Sequence, residues 1–93
     1  MAELLNPDAV HASLDSLEGW RGTTSGISKS YRFPDPAAAE DFLARVSRIA
    51  EDMNHHPEVA RAGDDVSLTL VTHSAGGVTQ LDFDLAERID AGA

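Results

Sequence analysis

Residues 36–73 read PAAAEDFLARVSRIAEDMNHHPEVARAGDDVSLTLVTH, and the fold turns on this stretch. In its first half Phe42, Val46, Ile49, Ala50 and Met53 recur at helical spacing, while Glu40, Asp41, Arg45 and Arg48 fall mostly elsewhere. Asp35 before Pro36 supplies the start signal, a capping residue followed by a proline where no N–H is needed. Pro57 stops the helix. Residues Glu58 to Arg61 then read as an extended segment, and Gly63-Asp64-Asp65 as a turn. Val66, Leu68 and Leu70 alternate with Ser67, Thr69 and Val71, the period-two pattern of a half-buried strand. That strand runs from Val66 to Thr72 and carries His73 at its end.

Outward from this stretch the same signals repeat. Asn6-Pro7-Asp8 starts a short helix to about Leu17, with Val10, Leu14 and Leu17 on one face and Gly19 ending it. Trp20 to Phe33 holds β-branched and aromatic residues around Gly22 and Gly26, with Ile27, Tyr31 and Phe33 prominent, and reads as a hairpin. Beyond the central stretch Gly76-Gly77 breaks the strand. Thr79 caps a last helix with Asp82 in its first turn, and Leu81, Leu85 and Ile89 are spaced to pack inward. The order is helix, two strands, helix, two strands, helix. It predicts an α+β domain spanning residues 1–93, an antiparallel sheet with helices packed on one face.

Composition narrows the function. Seven basic residues among sixteen acidic ones give a formal charge of −9, which disfavours nucleic acid and anionic membrane surfaces as partners. Cysteine is absent, so neither disulfides nor thiolate metal sites are expected. No run approaches the roughly 20 apolar residues needed to span a membrane, and residues 1–6 lack the pattern of a secretory leader. A cytoplasmic protein is expected, acting on a small ligand or a protein partner. Chains this short often gain stability by oligomerising.

Three of the four histidines lie within nineteen residues: His55, His56 and His73. All sit at ends of predicted elements, where functional groups are displayed. Glu51 lies four residues before His55, so the two would share a helix face, and a carboxylate there fixes an imidazole's tautomer and raises its basicity. Each feature also has a plainer reading. Paired histidines at a helix C-terminus complement its dipole, Asp82 is an acid at a helix N-terminus, and His73 alone could be a surface residue. Glu51, His55, His73 and Asp82 could also be combined as metal ligands, but no complete metal signature is present. With no cysteine and no serine in a nucleophile-elbow pattern, covalent catalysis is disfavoured. Gly76-Gly77 is too sparse for a phosphate loop. His11 reads as a solvated residue without a role.

Taken together, Ala50-Glu51-Asp52-Met53-Asn54-His55-His56-Pro57-Glu58, then Val66 to His73, then Gly77-Val78-Thr79 with Asp82, resemble the pterin-4a-carbinolamine dehydratases. That family is marked by a Glu shortly before a His-His-Pro, a Thr-His ending a following strand, and an Asp some nine residues on. Gly19-Trp20 and the Phe33 region match as well, so the resemblance covers nearly the whole chain. It departs at Gly63, where the family usually has an aromatic residue, and Val59-Ala60-Arg61-Ala62 is plainer than the family's stretch.

The resemblance implies a four-stranded antiparallel sheet with helices on one side, assembled as a homodimer or homotetramer. It implies loss of water from 4a-hydroxytetrahydropterin to give the quinonoid dihydropterin, a step of tetrahydrobiopterin recycling, with no metal or organic cofactor. His55 and His73 would then carry the proton transfers and His56 would complete the pocket. Glu51 and Asp82 would orient histidines. Asn54, Val71, Thr72 and Ser74 would line the pterin site, with Trp20 either an aromatic wall or a core anchor. The alternative is a non-catalytic binding or assembly module on the same fold.

Overall fold

A computed structural model describes residues 3–91. Its elements are α1 (Pro7–Asp15), β1 (Arg21–Thr23), β2 (Gly26–Arg32), α2 (Pro36–Met53), β3 (Glu58–Ala62), β4 (Asp65–Leu70), a short 3-10 turn (His73–Ala75) and α3 (Gln80–Ala91). The four strands form one antiparallel sheet, as the order of predicted elements and the resemblance both implied, and the structure sets their order as β1-β2-β4-β3. No helix among the described residues is long and apolar enough to cross a membrane.

The helix starts follow their signals. Asn6 accepts from the Ala9 amide and Asp35 from the Ala38 amide, each at 2.8 Å, with proline at the first helical position. Strand β4 alternates as expected: Val66, Leu68 and Leu70 are fully buried while Ser67 and Thr69 are half-exposed. Against them pack Ile27 from β2, Phe42 and Val46 from α2, and Phe83, Leu85, Ala86 and Ile89 from α3.

The two hairpins explain two glycines. A Cβ at Gly22 (φ 150°) would lie 2.1 Å from the Gly26 carbonyl oxygen, so only glycine allows the β1–β2 approach. Gly63 (φ 63°) opens the two-residue turn between β3 and β4, and positive φ at that position matches the twist of the flanking strands. The departure at Gly63 therefore leaves pairing intact, from Glu58↔Thr69 to Ala62↔Asp65.

Several boundaries need correction. Helix α1 stops at Asp15, and Leu17 lies in a following turn, its amide bonded to the Leu14 carbonyl at 3.0 Å. Strand β4 ends at Leu70, not Thr72, because pairing with β2 ends at Ile27↔Leu70. Thr72 bridges instead to Gly77 and curls residues 72–77 into a closed loop, so His73 opens a 3-10 turn rather than ending a strand. In α3, Leu81 is only half-buried; Phe83 and Ala86 fill the core with Leu85 and Ile89.

Candidate active site

The site is assembled where α2 ends and α3 begins. Asn54 adopts the left-handed conformation (φ 53°) after Met53. Its amide bonds to the Glu51 carbonyl at 3.2 Å and the His55 amide to the Ala50 carbonyl at 2.9 Å. These paired bonds close the last helical turn and redirect the chain. His55 therefore leaves the helix surface and turns inward, with its side chain 12 % exposed.

There His55 Nε2 lies 2.6 Å from Asp82 Oδ1. Asp82 is fully buried in the first turn of α3. Its other oxygen accepts the Thr79 amide at 2.9 Å and the Thr72 hydroxyl at 2.8 Å, so the buried charge has three donors. The Thr79 amide bond to Asp82 is half of a capping box, and Thr79 Oγ1 separately caps the helix by accepting the Leu81 amide at 3.3 Å.

Donor counting fixes the direction of the network. A carboxylate only accepts, so Nε2 of His55 donates. The single hydroxyl proton of Thr72 goes to Asp82, so Thr79 donates to Thr72 across their 2.8 Å contact. His55 thus carries its proton on Nε2, and Nδ1 has no partner among the described residues. No buried side-chain nitrogen or oxygen among the described residues lacks a partner, so Nδ1 reaches the surface.

The other two histidines are exposed, and each has its own acid. His56 Nε2 is 3.7 Å from Glu51 Oε1, and His73 Nε2 is 3.5 Å from Glu58 Oε2. Both pairs are more than half exposed, and pairs of that kind are worth at most about 1 kcal/mol. The expected partnership of Glu51 with His55 is corrected here: the left-handed turn at Asn54 ends the helical spacing, and Glu51 meets His56. Glu58 had no role in the sequence reading. The tight turn at Gly63-Asp64 sets the register Glu58↔Thr69, which places Glu58 beside the loop bearing His73; counting back from that turn was the available signal.

The remaining predicted residues separate. Thr72 is buried, and both its main-chain groups are used inside the loop: its amide donates to Gly77 and its carbonyl accepts from Ala75 and Gly76. Val71 is half-buried, and Ser74 and Asn54 are exposed. Trp20 is a core residue whose Nε1 donates to Asp90 Oδ2 at 2.7 Å. Asp90 lies eight residues beyond Asp82 on α3, about 12 Å along the helix, so Trp20 is not brought together with the histidines. His11 is exposed beside Asp15. Among the described residues no three His, Asp or Glu side chains converge as a metal-binding group.

The sequence and the fold both have counterparts among known proteins. The family described as "Pterin 4 alpha carbinolamine dehydratase" matches residues 3–92. A relative from Sulfurisphaera tokodaii is 40% identical over 86 residues, covering 92% of each chain. One from Mycolicibacterium smegmatis is 37% identical over 87 residues, covering 94% of this chain and 93% of its own. Both bear the name "Putative pterin-4-alpha-carbinolamine dehydratase". A crystal structure from Brucella melitensis, titled as a transcriptional coactivator/pterin dehydratase, superposes with a TM-score of 0.89 at 36% identity, covering 94% of this chain and 95% of that one. A pterin dehydratase-like protein titled as a RuBisCO assembly factor shares the fold, at a TM-score of 0.63 and 23% identity over 77% of this chain and 83% of that one.

Proposed function

This chain belongs to the pterin 4 alpha carbinolamine dehydratase family, and from that premise we propose that it catalyses dehydration of 4a-hydroxytetrahydropterin to the quinonoid dihydropterin. The observation that carries the reading is the buried His55–Asp82 pair, with His56 next in the chain and His73 on the loop that Thr72 ties to Asp82. In the reaction the C4a–oxygen bond breaks and the departing oxygen takes a proton to leave as water. A ring nitrogen gives up a proton, and the electrons left behind form the new double bond. One acid and one base are needed, and imidazoles titrating near neutral pH fill both roles. General acid–base catalysis of this kind is worth about 10²- to 10⁴-fold.

His55 and His73 carry the proton transfers in this reading, and His56 completes the pocket. Asp82 holds His55, Glu51 accompanies His56, and Glu58 accompanies His73. Asn54, Val71 and Ser74 border the pterin. No step calls for a metal or an organic cofactor. Assembly into a homodimer or homotetramer belongs to the same proposal; β3 is an edge strand of the sheet among the described residues, with all five of its residues exposed.

The test is substitution of the two proton-transfer residues. His55→Ala and His73→Ala are each expected to remove most of the acceleration over the spontaneous reaction while circular dichroism and oligomeric state stay unchanged. Wild-type turnover in both variants would contradict the proposal. Equal loss of fold and activity would make these histidines structural and move the reading to a non-catalytic module.

A further inference from the structure

The Thr72 hydroxyl does more than satisfy a buried oxygen. A carboxylate rotates freely about its last side-chain bond unless something holds it. Asp82 Oδ2 is gripped by two donors from different elements, the Thr79 amide at the start of α3 and the Thr72 hydroxyl from the loop after β4. With one oxygen clamped twice, the carboxylate plane is fixed and Oδ1 aims at His55 Nε2. Thr72 is itself held, because Thr79 Oγ1 donates to it and the Thr72–Gly77 bridge closes its main chain. Its branched Cβ restricts rotation of the hydroxyl as well. The residue after it is His73, so one side chain links the loop of one histidine to the orientation of another.

We propose that Thr72 is a positioning residue that acts through Asp82 to hold His55 with its proton on Nε2 and Nδ1 open to the substrate. Thr72 is not a catalytic residue in this scheme, since its hydroxyl faces the interior and touches no reacting atom. The proposal deepens the dehydratase reading and rests on it for the kinetic consequence. Its structural core, the tautomer of His55, stands independently of any activity.

The experiment compares Thr72→Val, which keeps the shape and removes the donor, with Thr72→Ser, which keeps the donor. Long-range ¹⁵N–¹H NMR of the imidazoles, on pterin-free protein, reads the proton position on His55, with His55→Gln assigning its signals. Dehydration kinetics give kcat and KM separately. The valine variant is expected to show mixed tautomers at His55 and a kcat lower by about tenfold, with KM within about twofold of wild type. The serine variant should keep the Nε2–H signature and a kcat within about threefold of wild type.

A His55 spectrum unchanged in the valine variant overturns the proposal, whatever the kinetics. So does equal loss of stability and turnover in both variants with that spectrum unaltered, which would mark Thr72 as a packing residue. If wild-type protein shows no dehydration, the dehydratase reading fails alone and the spectra still decide the role of Thr72. Should the valine variant not fold, Thr72→Ala removes the same donor without adding a methyl group beside Asp82 and is read in the same way.

Discussion

The three histidines are chemically alike and differ in what surrounds them. His55 is held by a buried carboxylate at 2.6 Å, whereas His56 and His73 meet exposed acids at 3.7 and 3.5 Å. That contrast sets the expected size of each substitution. The Glu58–His73 pair is solvated, and such pairs contribute at most about 1 kcal/mol, so Glu58→Gln should lower turnover by no more than about fivefold. A loss of a hundredfold in steady-state rates would instead place Glu58 on the reacting atoms. The histidines were legible in the sequence because their types and spacing are conspicuous. Their acids were legible only in part: the resemblance named Glu51 and Asp82 as orienting residues, but the αL turn at Asn54 breaks the four-residue relation between Glu51 and His55, and which histidine Asp82 holds is set only once α3 is packed against the end of α2.

Element ends do more of the positioning than element interiors. The Asn54 turn is one case. Asparagine tolerates the left-handed conformation better than other residues with a Cβ, and glycine better still. Asn54→Ala should therefore cost about 1 kcal/mol in urea unfolding and Asn54→Gly little or nothing. Equal stability of the alanine and wild-type proteins would show that the turn is not held by this preference.

The far end of α3 supplies a second case. Asp90 accepts from Trp20 Nε1, from the Tyr31 hydroxyl at 2.6 Å and from Lys29 Nζ at 3.2 Å, pinning the helix to β2. Burial first, and then the hydrogen bond to Asp90, push the Tyr31 hydroxyl's pKa well above its ordinary value. In the unfolded chain this phenol ionises near about pH 10, while in the fold it stays protonated to higher pH. The folded state therefore binds the extra proton, and stability falls as pH rises above that point. Tyr31→Phe should flatten this alkaline decline in melting temperature measured between pH 9 and 11. An unchanged slope would remove Tyr31 as its source. Helix starts and the alternation of β4 were readable because they depend on local chemistry. The end of β4 was not, because it is set by pairing with β2, which lies far away in the chain.

At the scale of the whole molecule, the sheet order β1-β2-β4-β3 joins two local hairpins through one long-range pairing. That single pairing puts the loop after β4 beside the start of α3 and the end of α2, which gathers the histidines at one end of α3 and leaves Trp20 and Asp90 at the other. Hairpins and the α+β class followed from turn chemistry and periodicity, and the resemblance implied a single four-stranded sheet; the β2–β4 pairing came from neither, since nothing local specifies it. The charge of −9 suits a site that takes a small heterocycle rather than a polyanion. The most direct test is the rate of 4a-hydroxytetrahydropterin dehydration by the purified protein against the spontaneous reaction, with chelator present throughout. The account predicts acceleration of about 10²-fold or more that chelator does not touch and that is lost in His55→Ala and His73→Ala. A rate equal to the uncatalysed background, from protein that is fully folded, would contradict it.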